Sequence, residues 1–339
     1  MKKFMHNDIN HDYQFIRNLR ESKNDKDYDL WETRLFSSVK KLTTNDEVDP
    51  EKLAKFRSIS ALLSEVPRNP YINSKILKHV YEFIRFTGYK KTCFHNFDKL
   101  RLDDSLMWDK FSEVGAPIFF ESDGKKFNER FLRHLRTVSI LEKNITLESD
   151  SVVVDIGGGY GQFLAMLNYK FSSTKKILVD FPEQLLVASY FLKQSFPNCR
   201  INSVRSCYEK DFSIDEALNE NDFILLSTDK INLLDDVRAD LVCNFSSFGE
   251  MSISNFDSYM NSKLMKNTRY FFTVNRIDSF PTYNNGLSIL DYELDLYKPI
   301  HFKVSPIWDF YFDSFTPFFQ SKKYFSSRNF EFLGEVSKK

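Results

Sequence analysis

The chain has 339 residues, 42% of them hydrophobic and 28% charged, with 10 glycines and 10 prolines. That is a globular composition, with room for one large domain or two ordinary ones, and it excludes a collagen-like chain or a long flexible linker. Lys plus Arg and Asp plus Glu both come to 47, so the chain lacks the basic footprint of a nucleic-acid binder.

No segment approaches the roughly 18 consecutive apolar residues needed to span a bilayer. The stretch from Met1 to Asp8 has lysines but no apolar run behind them, so no secretory signal is expected. Cysteines stand at 93, 199, 207 and 243 without a CxxC pair. They are expected to be reduced and mostly buried, as in a cytoplasmic protein. The histidines show no HxxxH or HExxH spacing, and no zinc site is expected.

The first 30 or so residues are polar and weakly periodic and read as a mobile or partner-dependent arm. Helical periodicity then covers Glu51 to Val66 and Tyr71 to Phe86, with Gly88 placed as a C-terminal cap. Pro117 to Glu121 reads as an extended piece before a turn at Ser122-Asp123-Gly124. A third helix opens at Asn128 and runs to Lys143.

Beyond residue 150 the rhythm changes. Short β-branched runs at Ser151 to Asp155, Lys176 to Asp180, Asp240 to Phe245 and Arg269 to Val274 alternate with helices at Gln162 to Phe171, Glu183 to Phe196 and Ser254 to Lys266. This alternation predicts βαβ units in a parallel sheet. Ile201 to Ser206 and Phe223 to Ser227 are both candidates for its third strand. The aromatic stretch from Ile300 to Val336 predicts antiparallel edge strands. The expected organisation is α/β: a helical N-terminal cap over 1–150, then a Rossmann-like, doubly wound, mostly parallel sheet over 151–339.

The informative segment is Asp155-Ile-Gly157-Gly158-Gly159-Tyr160-Gly161. Its glycines let the backbone turn sharply from strand to helix and meet a ligand without intervening side chains. A dinucleotide fingerprint would put its third glycine at 162, which is Gln. Asp155 suits a ligand with an ammonium group. Asp180 ends the next strand, where a carboxylate can accept hydrogen bonds from ribose hydroxyls. A turn-capping acid and a helix N-cap are the alternative readings of these two residues taken singly.

With Val179-Asp180-Phe-Pro-Glu183, this segment resembles the first two motifs of the class I S-adenosylmethionine-dependent methyltransferases. Three segments carry a narrower likeness: Leu178 to Glu183, Asp240 to Met251 and Phe272 to Arg276. They are similar to the sugar O-methyltransferases of bacterial polysaccharide and glycosylated natural-product clusters. The resemblance implies S-adenosylmethionine held by Asp155, Gly157, Gly158, Gly159, Gly161 and Asp180, with Phe181, Asn244 and Phe245 beside it. It implies a small sugar or glycan acceptor. A phenolic acceptor, or a scaffold that binds cofactor without turnover, are the alternatives. Metal use and oligomeric state stay open.

For the chemistry, the loop after the fourth strand brings Ser246, Ser247 and Glu250 to the carboxyl edge of the sheet. Glu250 is the first candidate base, and a first-turn helix acid is its other reading. His301 is the second. Arg130, Arg133 and His134 share a helix face suited to an anionic acceptor, as does Arg276, although a solvated or internally paired face is the alternative. Trp308, Phe310, Tyr311, Phe312, Phe315, Phe318 and Phe319 offer rings for stacking or for packing.

Overall fold

The computed structural model describes residues 2–22, 30–59, 75–103, 105–278, 287–307 and 328–336. Helices α1 (Lys2–Glu21) and α2 (Leu30–Lys40) lead to a minimal hairpin, β1 (Thr43–Thr44) and β2 (Glu47–Val48). Next come α3 (Pro50–Leu53), α4 (Phe56–Ile59), the long α5 (Lys75–Leu100), the hairpin β3 (Phe120–Ser122) and β4 (Lys125–Phe127), and α6 (Glu129–Asn144). The remainder runs β5 (Val152–Ile156), α7 (Gln162–Lys170), β6 (Lys175–Asp180), α8 (Pro182–Ser195), α9 (Ile214–Glu220), β7 (Phe223–Ser227) and β8 (Leu241–Phe245). It closes with α10 (Ile253–Met260), α11 (Lys263–Asn267), β9 (Tyr270–Arg276), β10 (Tyr297–Val304) and β11 (Asn329–Val336).

Seven strands form one sheet in the order β10-β11-β9-β8-β5-β6-β7. Strands β5 to β9 are mutually parallel, and β11 lies antiparallel between β9 and β10. The chain steps outward from β5 through β6 to β7, then returns to lay β8 on the other side of β5. The topological switch therefore falls between β5 and β8, where open α/β sheets bind ligands at their carboxyl edge. Alternate strand residues feed two cores. Val153, Leu178, Leu225 and Cys243 join one, and Val154, Ile177, Ile224 and Val242 join the other.

Several sequence expectations change. The N-terminal arm is a packed helix: Ile9, Tyr13 and Ile16 of α1 are buried in the same core as α8, and Asp12 accepts a bond from the Val204 amide at 3.3 Å. Gly88 caps nothing, because α5 continues through it to Leu100. The buried stripe Tyr89, Cys93, Phe97 and Leu100 drives that continuation, outweighing a single glycine's cost of about 1 kcal/mol. The helix expected from Glu51 breaks into α3 and α4, and its end at 60–66 lies outside the described residues. The helix expected from Ser254 divides where Ser262 caps α11 through the Met265 amide. Phe223–Ser227 is the third strand, and Ile201 forms only an isolated bridge to Phe223. β11 is interior to the sheet, whereas β10 is the edge. Asn128 caps α6 as expected, accepting from the Phe131 amide at 2.9 Å. The four cysteines are free, and three of them are buried. No described helix is long and apolar enough to cross a membrane.

Since Ile9 is fully buried, Ile9→Ala should destabilise the protein by about 2–4 kcal/mol in urea unfolding. A loss below about 0.5 kcal/mol, the size of a surface substitution, would mean that α1 is not part of the core.

Candidate functional site

The glycine loop leaves β5 at its carboxyl end, where the Gly157 amide donates to the Val179 carbonyl at 2.7 Å. Gly157, Gly159 and Gly161 have φ of 71°, 62° and 82°, a region that side-chain-bearing residues rarely adopt. Two of the loop's glycines are also demanded by space. A Cβ on Gly157 would lie 2.0 Å from Ser247 Oγ, and one on Gly158 would lie 2.1 Å from Asp155 Oδ2. Gly159 differs: a Cβ there would meet nothing nearer than Arg130 Nη1 at 3.9 Å. The loop is packed from below and open above that residue.

Two acids support it. Asp180 Oδ2 accepts the Gly159 amide and its Oδ1 the Phe181 amide, both at 2.7 Å. Burial, added to by the charge of Glu183, pushes the Asp180 carboxyl up to about 7 despite those two bonds. Asp155 is fully buried, and among the described residues neither carboxylate oxygen has a hydrogen-bond partner. Burial first, and then the neighbouring Asp180, hold its pKa well above the usual carboxylate range. A buried acid without a partner is costly and suits a place where a cationic ligand completes the set.

Asn244 is a brace. Its Nδ2 donates to the Ile156 carbonyl at 2.7 Å, and its Oδ1 accepts from the Phe248 amide at 3.0 Å and from Asn275 Nδ2 at 2.8 Å. Three strand ends are thereby joined, and the following loop is held over Gly157. Within that loop Ser246 has φ of 60°, a left-handed conformation that costs a non-glycine residue about 1–2 kcal/mol. Its Oγ accepts from Arg133 Nη1 at 2.8 Å, and Arg133 Nε also donates to Glu129 at 3.0 Å. Glu250 pairs with Arg276 at 3.3 Å. Arg133 and Arg276 therefore have internal carboxylate partners.

His134 and Phe245 are turned into packing. The His134 ring lies 5.9 Å from Phe163 and 6.2 Å from Phe245, and Phe245 lies 4.6 Å from Phe163. Burial, then Arg133 and Arg130, lower the His134 pKa well below its usual value, so the ring is neutral. His301 is not brought to the loop. In register its β10 position passes through Leu333, Phe272 and Cys243 to Asp155, four strands away. That is roughly 19 Å at 4.8 Å per strand. It bonds Glu331 at 3.1 Å, and Arg136 grips Glu331 with two contacts of 2.6 Å. The structure thus gives His301 a hydrogen bond to Glu331 and places it away from the loop. The aromatic residues at 308–319 lie outside the described residues.

Other residues reach the site unannounced. Tyr160, inside the loop, has the guanidinium carbons of Arg57 and Arg130 at 5.3 and 5.1 Å from its ring centre. Beyond β6 and β7, a small cavity is lined by Ile16, Leu19, Tyr208, Ser227, Thr228 and Asp229. There Arg20 of α1 meets Glu183 at 2.7 Å. Among the described residues no His, Cys, Asp or Glu cluster is arranged to hold a metal ion.

No protein-family model and no curated protein matches the sequence. Among solved structures, geranyl diphosphate methyltransferase in complex with S-adenosylmethionine is 10% identical, with a TM-score of 0.39 over 61% of this chain and 87% of its own. An O-methyltransferase family 2 protein of Planctomyces limnophilus, complexed with apigenin, is 11% identical, with a TM-score of 0.38 over 90% of this chain and 82% of its own. TehB of Haemophilus influenzae is 12% identical, with a TM-score of 0.37 over 60% of this chain and 62% of its own.

The Asp180 carboxyl rises from its ordinary 3.8 to about 7 on folding. The folded protein therefore binds the extra proton between those values. Stability from this group is complete below about pH 4 and is lost as pH rises through 7. Asp180→Asn should flatten that decline in urea midpoints measured from pH 4 to 7.5. Parallel profiles for the two proteins would show that Asp180 titrates normally.

Proposed function

We propose that the protein is an S-adenosylmethionine-dependent O-methyltransferase acting on a hydroxyl of a sugar or glycan precursor. The observation that carries this reading is the loop itself. Three left-handed glycines join β5 to α7, Gly159 is bonded to Asp180 and open above, and the buried Asp155 has no partner among the described residues. These residues fit the cofactor. The spare lone pairs of Asp180 suit ribose hydroxyls, and the charge of Asp155 suits an ammonium group.

When bound, the cofactor supplies an electrophilic methyl group on a sulfonium. The chain's own contribution is alignment, exclusion of water and removal of a proton. The loop and Asp180 orient the donor from below. Ser246, Ser247 and Glu250 follow β8 at the switch point, and Arg133 holds Ser246 in its left-handed conformation. Glu250, positioned by Arg276, accepts the acceptor's proton. This polar rim favours a polyhydroxylated acceptor, whose hydroxyls it can bond, over a flat phenolic one. Radiolabelled transfer to sugar nucleotides and to phenols compares the two, and transfer to phenols alone would exclude the sugar.

Gly159→Val should abolish S-adenosylhomocysteine binding in calorimetry while the protein stays folded. The branched side chain would fill the open space and would be strained at φ 62°. Retained affinity would remove the cofactor assignment. Glu250→Gln should keep cofactor affinity and lower the single-turnover rate by roughly 10²-fold, the usual scale for a general base. A near-wild-type rate would take Glu250 out of the chemistry.

A further inference from the structure

The arginines around the cleft are not equivalent. Arg133 is engaged by Glu129 and Ser246, and Arg276 by Glu250. Arg57 is buried and donates to the carbonyls of Ser112 and Val114. Arg130 is different. It is only half-buried, and among the described residues it makes no ion pair or hydrogen bond with a protein group. It lies over the face of Tyr160, with the guanidinium carbon 5.1 Å from the ring centre.

The position is informative. Among the described residues, chain neighbours aside, Arg130 Nη1 is the one atom within 4 Å of the place where a Cβ on Gly159 would sit. The open space above the loop is thus bounded by a guanidinium. The Gly159 amide on the same residue is bonded to Asp180. A ligand lying along the loop meets an acid at one end of this short span and a base at the other. Tyr160 fixes the base. Its ring is buried, its hydroxyl donates to Gln162 Oε1 at 2.6 Å, and Phe56 and Phe191 pack on it edge-on at 5.4 and 5.0 Å. The guanidinium is therefore held before any ligand arrives, and little side-chain freedom remains to be lost on binding.

We propose that Arg130 binds the carboxylate at the amino-acid end of the methyl donor, so that α6 reads the cofactor and not the acceptor as the sequence pattern suggested. The inference rests on the cofactor reading above. The alternative source of an anion, a phosphate or carboxylate on the acceptor, would leave donor affinity untouched by this residue.

The test uses the full-length protein and calorimetric titration with two probes, S-adenosylmethionine and decarboxylated S-adenosylmethionine, which differ only by that carboxylate. The wild type should prefer the carboxylated form. Arg130→Met should weaken S-adenosylmethionine binding by roughly 10- to 100-fold, the range for a hydrogen bond to a charged group. The same variant should leave the decarboxylated form within about twofold. Arg130→Lys, which keeps charge without the planar fork, should fall between. Equal losses for both probes in Arg130→Met, or no loss for either, would overturn this inference while leaving the cofactor assignment standing. Failure of the wild type to bind either probe would overturn both. Thermal melts of the variants at the wild-type midpoint confirm that a loss of affinity is not a loss of fold.

Discussion

One buried carboxamide organises the carboxyl edge of this sheet. Asn244 donates to the last carbonyl of β5, accepts from the backbone that follows β8, and is itself gripped by Asn275 from β9. Ser247 rests on Gly157 because of that arrangement, and Ser246 is carried into the reach of Arg133. A side chain of another shape would leave several buried donors and acceptors unmatched at once, each at about 1–3 kcal/mol. The glycine loop and the loop after β8 therefore behave as one piece of structure with two covalent sources.

The same edge stores unfavourable electrostatics. Asp155 and Asp180 are buried beneath and beside the loop; burial and then Asp180 make Asp155 reluctant to ionise, burial and Glu183 do the same to Asp180, and among the described residues Asp155 has no donor. Folded proteins tolerate such arrangements where a ligand later relieves them. An ammonium group and a pair of hydroxyls would do so here, and the gain would be counted in binding. The site is thus less stable empty than an apolar version of it would be, and correspondingly more responsive to its ligand.

Much of this was legible in the residues. The βαβ alternation, the glycine spacing and Asp180 are local patterns, and local patterns survive in sequence. Several departures arise where packing or a distant partner decided the outcome. Gly88 reads as a cap until Tyr89 and Cys93 are seen to be buried. The first helix reads as a loose arm because the groups that hold it, such as Val204 for Asp12 and Glu183 for Arg20, lie far along the chain. His301 carries no sign that Glu331 awaits it across a strand pair. Nothing near Arg57 in sequence announces its contact with Tyr160, which itself stands inside the glycine loop.

The placement of β11 has a bearing on how the sheet assembles. It lies between β9 and β10, so among the described strands β10 is hydrogen-bonded to β11 alone. Nothing on β9 can serve as a template for β10 beforehand. The terminal hairpin must form either as a unit or by threading its second strand into a gap already flanked on both sides. Both routes make this flank of the sheet late, because pairing β9 with β11 closes a loop of more than 50 residues. Until then the β9 margin, with Phe271, Phe272 and Val274, is an uncovered apolar strand edge, the kind of surface on which nascent chains of different molecules find one another.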